Sequence, residues 1–114
     1  MKNLVDMMSS TIDEFIAIRR DLHAHPEIGF EEHRTSDIVA QKLASWGYEV
    51  HRGLAKTGVV GTLKAGNGNK RIGIRADMDA LPMDEHSGKP WQRLTQGCFH
   101  GCGQDGHTTI FLSA

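Results

Sequence analysis

Pro26 and Gly47 constrain this chain more than any other residues, because each ends a helical pattern and together they delimit two short amphipathic helices. The first is expected to begin near Ser10 or Thr11, where Ser10-x-x-Asp13 and Thr11-x-x-Glu14 resemble capping boxes. Ile12, Phe15, Ile16, Arg19 and Leu22 then follow helical spacing, which predicts one buried face with Arg20 and Asp21 in water. The second is expected from about Thr35 to Trp46, with Ile38, Val39, Lys42, Leu43 and Trp46 recurring at three and four. Three short strands are expected next, Tyr48 to Arg52, Val59 to Lys64 and Arg71 to Ala76. The turn Ala65 to Lys70 would join the last two as an antiparallel hairpin. A loop-like stretch from Ala80 to Gly106 leads to a final helix starting near Asp105 or Thr108. The pattern is α/β.

That last helix has barely two turns before the chain stops at Ala114, and a short isolated helix is marginal in water, so the sequence reads as cut off. With 114 residues, 39% hydrophobic and 24% charged, one small globular domain is expected. Thirteen basic and fourteen acidic side chains leave a net charge of −1, with no like-charge run longer than a pair, which argues against nucleic acid and membrane surfaces as partners. Apolar runs are far too short to span a bilayer and the first residues form no signal peptide, so a cytoplasmic location is expected. Two cysteines, Cys98 and Cys102, are too few for a disulfide-stapled fold; a bond between them on oxidation is conceivable.

Three clusters hold the reactive side chains. His23 and His25 form a His-x-His pair, but at a helix end alternate residues diverge, so stabilisation by the helix dipole is favoured over a shared metal. Asp77 and Asp79 follow an expected strand at the sheet edge where α/β proteins place ligands; the alternative is a turn in which they bond nearby amides, with Arg75 close enough to pair with one. Between Cys98 and His107, thiols, imidazoles and Asp105 alternate with Gly101, Gly103 and Gly106, which suggests a metal site. Cys98, His100, Cys102 and His107 would make a closed structural zinc site, though their spacing matches none of the usual finger patterns.

Arg20 to Glu32, Thr57 to Gly61, Ile74 to Pro82 and Cys102 to Thr108 together resemble, in order and spacing, the N-terminal part of the M20 metallopeptidase-like amidohydrolases, in the branch of hippurate, N-acyl-amino-acid and auxin-conjugate hydrolases. The resemblance implies an N-terminal part of a zinc-peptidase-like catalytic domain: two helices, a small mixed sheet and the start of a third helix. Residues 1–114 would be a partial catalytic domain without the rest of that domain or the dimerisation domain. It implies metal-dependent hydrolysis of N-acyl amino acids by two Zn, Mn or Co ions that activate water and stabilise the oxyanion, with a glutamate as base. Longer family members are often homo-oligomeric. Asp79 would be a supporting catalytic position, Asp77 would stand where related branches place a metal-binding histidine, and Cys102 would be a metal ligand. The motif is usually Cys-Gly-His-Asp-Gly-His; here it is Cys102-Gly103-Gln104-Asp105-Gly106-His107, with a neutral amide where the family has an imidazole. His23, His25 and His107 match positions outside the family's ligand set.

Two further expectations follow. The chain alone is catalytically incomplete, and it is either a portion of an amidohydrolase or an inactive remnant that self-associates through apolar faces.

Overall fold

The computed structural model describes residues 3–114. Six elements follow in order: α1 (Leu4–Ser9), α2 (Ile12–Ala24), α3 (His33–Ser45), β1 (Glu49–Leu54), β2 (Gly58–Thr62) and α4 (Gln104–Ser113). This is the mixed α/β pattern expected, with differences in detail. None of the helices described is long and apolar enough to cross a membrane.

α1 was not foreseen, and it explains why neither capping box forms. Ser10 and Thr11 turn their hydroxyls backwards, donating to the Met7 and Met8 carbonyls at 2.7 and 3.1 Å, so the start of α2 has no side-chain cap. Pro26 ends α2 as expected. The buried stripe of α2 is Phe15, Ile18 and Leu22, while Ile12 and Ile16 are exposed, so the apolar face is rotated from the expected one. Ile38 of α3 and Leu112 of α4 pack on this stripe, which makes α2 the centre of the molecule.

α3 starts at His33, two residues before the expected Thr35. Its N-terminus is closed from outside: the Glu27 carboxylate accepts from the Arg34 N–H at 2.9 Å, the Thr35 N–H at 2.6 Å and the Thr35 hydroxyl at 2.7 Å. A carboxylate there satisfies orphan amides and meets the positive end of the helix dipole. Gly47, at φ 86°, ends α3 in the left-handed conformation expected of it.

The sheet overturns the expected strand pairing. β1 pairs antiparallel with β2, from Glu49 opposite Thr62 to Leu54 opposite Gly58, and packs on α3. Its tight loop holds Ala55 and Lys56 at φ 48° and 75°, which is uncommon for residues with a Cβ and carries no turn signal in the sequence. The glycine-rich Ala65–Lys70 stretch forms no hairpin, and Arg71–Ala76 is not a strand among the described residues. Ile72 and Ile74 alternate but remain 90% and 67% exposed. Two isolated bridges, Ile28 with Ala80 and Leu81 with Phe99, fix the chain just after the aspartates.

Candidate functional site

Asp77 and Asp79 lie on a half-buried segment leading to Ala80, whose N–H donates to the Glu27 carbonyl at 2.7 Å. The expected partnership with Arg75 is present: its guanidinium lies 2.6 Å from Asp77 Oδ1. Across from them, the loop carrying Gly29 and Phe30 and the β1–β2 loop form the other wall of a cleft of about 480 Å³, lined by Phe30, Thr57, Val60, Arg75, Asp77 and Asp79 among others. The two loops are tied by the buried Thr57 hydroxyl, which donates to Glu32. Phe30 is held at φ 66°, a strained setting of the kind that accumulates at ligand sites. The cleft's size suits a small molecule.

α4 lies against the Asp77–Asp79 segment that floors this cleft. Gly103, at φ 81°, turns the chain into the helix. Thr108 donates to the Asp77 carbonyl at 2.7 Å. The Gln104 side-chain amide lies against the Asp79 carbonyl and carboxylate, and with its nitrogen turned toward them it can donate to both. Thus Gln104 and both aspartates come together. Cys102 is an exposed free thiol, His107 is exposed, and Cys98 is buried, donating to the Pro26 carbonyl at 3.2 Å. Burial pushes the Cys98 thiol up, more than nearby Arg93 lowers it.

The strongest polar cluster is one that the sequence reading missed. His23, in the last turn of α2, reaches past the helix end: Nδ1 donates to Asp105 Oδ2 at 2.8 Å, and Nε2 lies 3.0 Å from both oxygens of Glu85. Ionised carboxylates only accept, so this arrangement favours the doubly protonated ring. Burial alone would lower its pKa, but the bonds and charges of Glu85 and Asp105 outweigh burial and hold it above the ordinary 6.5. Burial likewise opposes ionisation of Glu85, yet the Ser87 hydroxyl, the Arg93 N–H and His23 keep its carboxyl below the usual range. His100 lies behind, its ring 6.4 Å from that of His23; it is 5% exposed with neither ring nitrogen partnered, and burial drives its pKa down. Asp105, 1% exposed, leaves Oδ1 without a partner. The segment holding His23, His25 and Glu27 is therefore structural here: His23 bridges two carboxylates, His25 bonds the Asp21 carbonyl at 2.9 Å, and Glu27 caps α3. A histidine followed at long range by two acidic residues carries no spacing signal, which is why this cluster was invisible in the sequence.

Among the described residues no three His, Cys, Asp or Glu side chains converge as ligands, which removes the four-ligand zinc site of Cys98, His100, Cys102 and His107. Gln104 lies against Asp79, and Cys102 is exposed.

Residues 73–114 match the model of peptidase family M20/M25/M40. The chain is 49% identical over 112 residues to the hippurate hydrolase of Campylobacter jejuni, covering 98% of itself and 29% of that protein. It is 39% identical over 112 residues to the N-acyl-L-amino acid amidohydrolase of Geobacillus stearothermophilus, covering 98% and 30%. A solved Bacillus subtilis structure, described as a dinuclear metal-binding peptidase of the M20 family, superposes with a TM-score of 0.86 at 35% identity, over 91% of this chain and 29% of that one. The chain thus spans less than a third of the length of these relatives.

Proposed function

We propose, on the premise that the chain belongs to peptidase family M20/M25/M40, that its 114 residues form part of a catalytic domain whose reaction is hydrolysis of the amide bond of small N-acyl amino acids such as hippurate. The observation that carries this reading is likeness over 98% of the chain to relatives named for hippurate and N-acyl amino acid hydrolysis. The cleft supports it: Phe30 and Val60 offer apolar surface for an acyl group beside Asp77 and Asp79. In this reading Asp79 is a positioning group and Asp77, neutralised by Arg75, shapes the cleft floor. Divalent metals, whether Zn, Mn or Co, belong to the same reading, with Cys102 and position 104 as the places in this chain that would meet them. A cytoplasmic setting, homo-oligomeric longer forms and the absence of nucleic-acid and membrane partners belong to the same reading.

A chimera tests it. The matching segment of the Campylobacter hippurate hydrolase is replaced by this chain, and glycine release from hippurate is followed with added divalent metal. The chimera carrying Gln104→His is expected to turn over, and the one keeping Gln104 to fall by about 100-fold, as loss of a coordinating partner commonly costs. No glycine is expected from the 114-residue chain alone. Turnover by the isolated chain, or none by the histidine chimera, would discard the proposal.

A second reading, an inactive self-associating remnant, is favoured by the exposed apolar side chains Ile72, Ile74 and Ile110. Concentration-dependent sedimentation together with two silent chimeras would select it.

A further inference from the structure

We infer that residues 84–94 form a strap that undocks from the end of α2 as one unit and uncovers Cys98 while the helices stay folded. The strap hangs on a stem, where the Leu81 and Phe99 amides each donate to the other's carbonyl, at 3.0 and 2.9 Å. Beyond the stem it is closed on itself. The Glu85 carboxylate accepts from the Arg93 N–H at 2.9 Å and from the Ser87 hydroxyl, the Arg93 guanidinium meets Asp84 at 2.9 Å, and the Gly88 N–H donates to Gln92 Oε1 at 2.8 Å. A loop whose ends meet and whose side chains bond one another keeps its shape when it moves.

Among the described residues, the polar ties from this strap to the rest of the chain go to one turn of α2. His23 Nε2 meets Glu85 at 3.0 Å, the Leu94 N–H donates to the Ala24 carbonyl at 2.7 Å, and the Arg20 guanidinium lies over the Trp91 ring at 3.8 Å. These ties form one small docking patch, and the internal bonds of the strap make them break together. Segments held in this way open locally at a cost below that of global unfolding. Gly97, at φ 86°, supplies between strap and stem the left-handed turn about which the strap swings. Cys98 comes next, its thiol buried on the Pro26 carbonyl and near enough to Arg93 to feel its charge, so the docked strap shields it. Undocking also takes Glu85 from His23 and leaves the ring with Asp105 in the first turn of α4, so strap and helix are linked through one side chain. None of these contacts depends on the reaction proposed above.

Cys98 is the reporter in the unaltered 114-residue chain. With excess iodoacetamide, whose carbon takes the thiolate as iodide leaves, Cys102 is expected to react first and Cys98 slowly, each assigned by peptide mass. The Cys98 rate divided by that of the urea-unfolded chain gives the open fraction. One charge-assisted bond, one backbone bond and one cation–π contact put it on the order of 10⁻³. It should stay flat as urea rises toward the unfolding transition followed by far-ultraviolet circular dichroism. Glu85→Gln removes the charge facing His23 and should raise it about 10-fold. Arg20→Met should raise it about 3-fold, and Arg20 is exposed, so this variant leaves the core intact. Cys98 labelling as fast as Cys102, a Cys98 rate that climbs with urea in step with global unfolding, or one that Arg20→Met leaves unchanged would each overturn the inference.

Discussion

At the junction of α2 and α3, both oxygens of Glu27 have donors, and the three bonds come from residues seven and eight positions away. Beneath α4, in contrast, His23 joins groups 62 and 82 positions away, and still Asp105 Oδ1 and both nitrogens of His100 have no partner. The two corners use the same side-chain chemistry. Near neighbours in sequence can complete a polar corner at small entropic cost, whereas distant ones must be brought together by the whole fold. An unsatisfied buried group costs about 1–3 kcal/mol, so the α4 corner is the weaker of the two.

The comparison would be most sharply tested at His23. His23→Ala leaves buried Glu85 without its cationic partner and Asp105 with only Arg19, 3.6 Å away, and should cost about 3 kcal/mol, read by urea unfolding. The pH dependence has a definite sign. The His23 pKa is raised on folding, so its contribution is complete below 6.5 and is lost as pH rises through the folded value. The Glu85 pKa is lowered, so its contribution is present above the ordinary carboxylate range and lost as pH falls through its folded value. His100, kept neutral by burial, costs stability as pH falls below 6.5. The difference between the parent chain and His23→Ala isolates the first effect; a difference that stays constant from pH 5 to 9 would refute an imidazolium bridge.

Leu22, fully buried, serves both corners because α3 and α4 each reach the α2 stripe. Leu22→Ala should cost about 3 kcal/mol and shift near- and far-ultraviolet melting together. Separate transitions would mean that the corners unfold independently.

How much of this was legible in advance follows from the range of each interaction. The ends of α2 and α3 were readable because Pro26 and Gly47 act on their own backbone. The β1–β2 hairpin was not, because its loop places Ala55 and Lys56 at positive φ where Gly or Asn would have marked a turn. Arg71–Ala76 has strand-like alternation, but a strand needs a partner and none pairs with it among the described residues. At the site, Asp77 with Arg75 was readable from two-residue proximity. His23 with Glu85 and Asp105 was not, since only folding joins them.

Glu27→Ala is expected to cost about 2 kcal/mol by uncapping α3, with Glu27→Gln retaining part of the cap. Hydrogen exchange should then accelerate at Arg34 and Thr35 while α4 is unaffected; equal acceleration in α4 would erase the distinction between the corners. The smallest change is expected from Ile72→Lys with Ile74→Lys, within about 0.5 kcal/mol because both side chains are already in water. Sedimentation at rising concentration should show less self-association, and a large stability loss would mean that these residues are packed.

The two thiols differ in a way a chemist can exploit. Cys98 is enclosed, bonded to the Pro26 carbonyl and hard to ionise, while Cys102 stands open beside the entrance to α4. A maleimide fluorophore added to the native chain should therefore attach once, at Cys102, without any engineered cysteine.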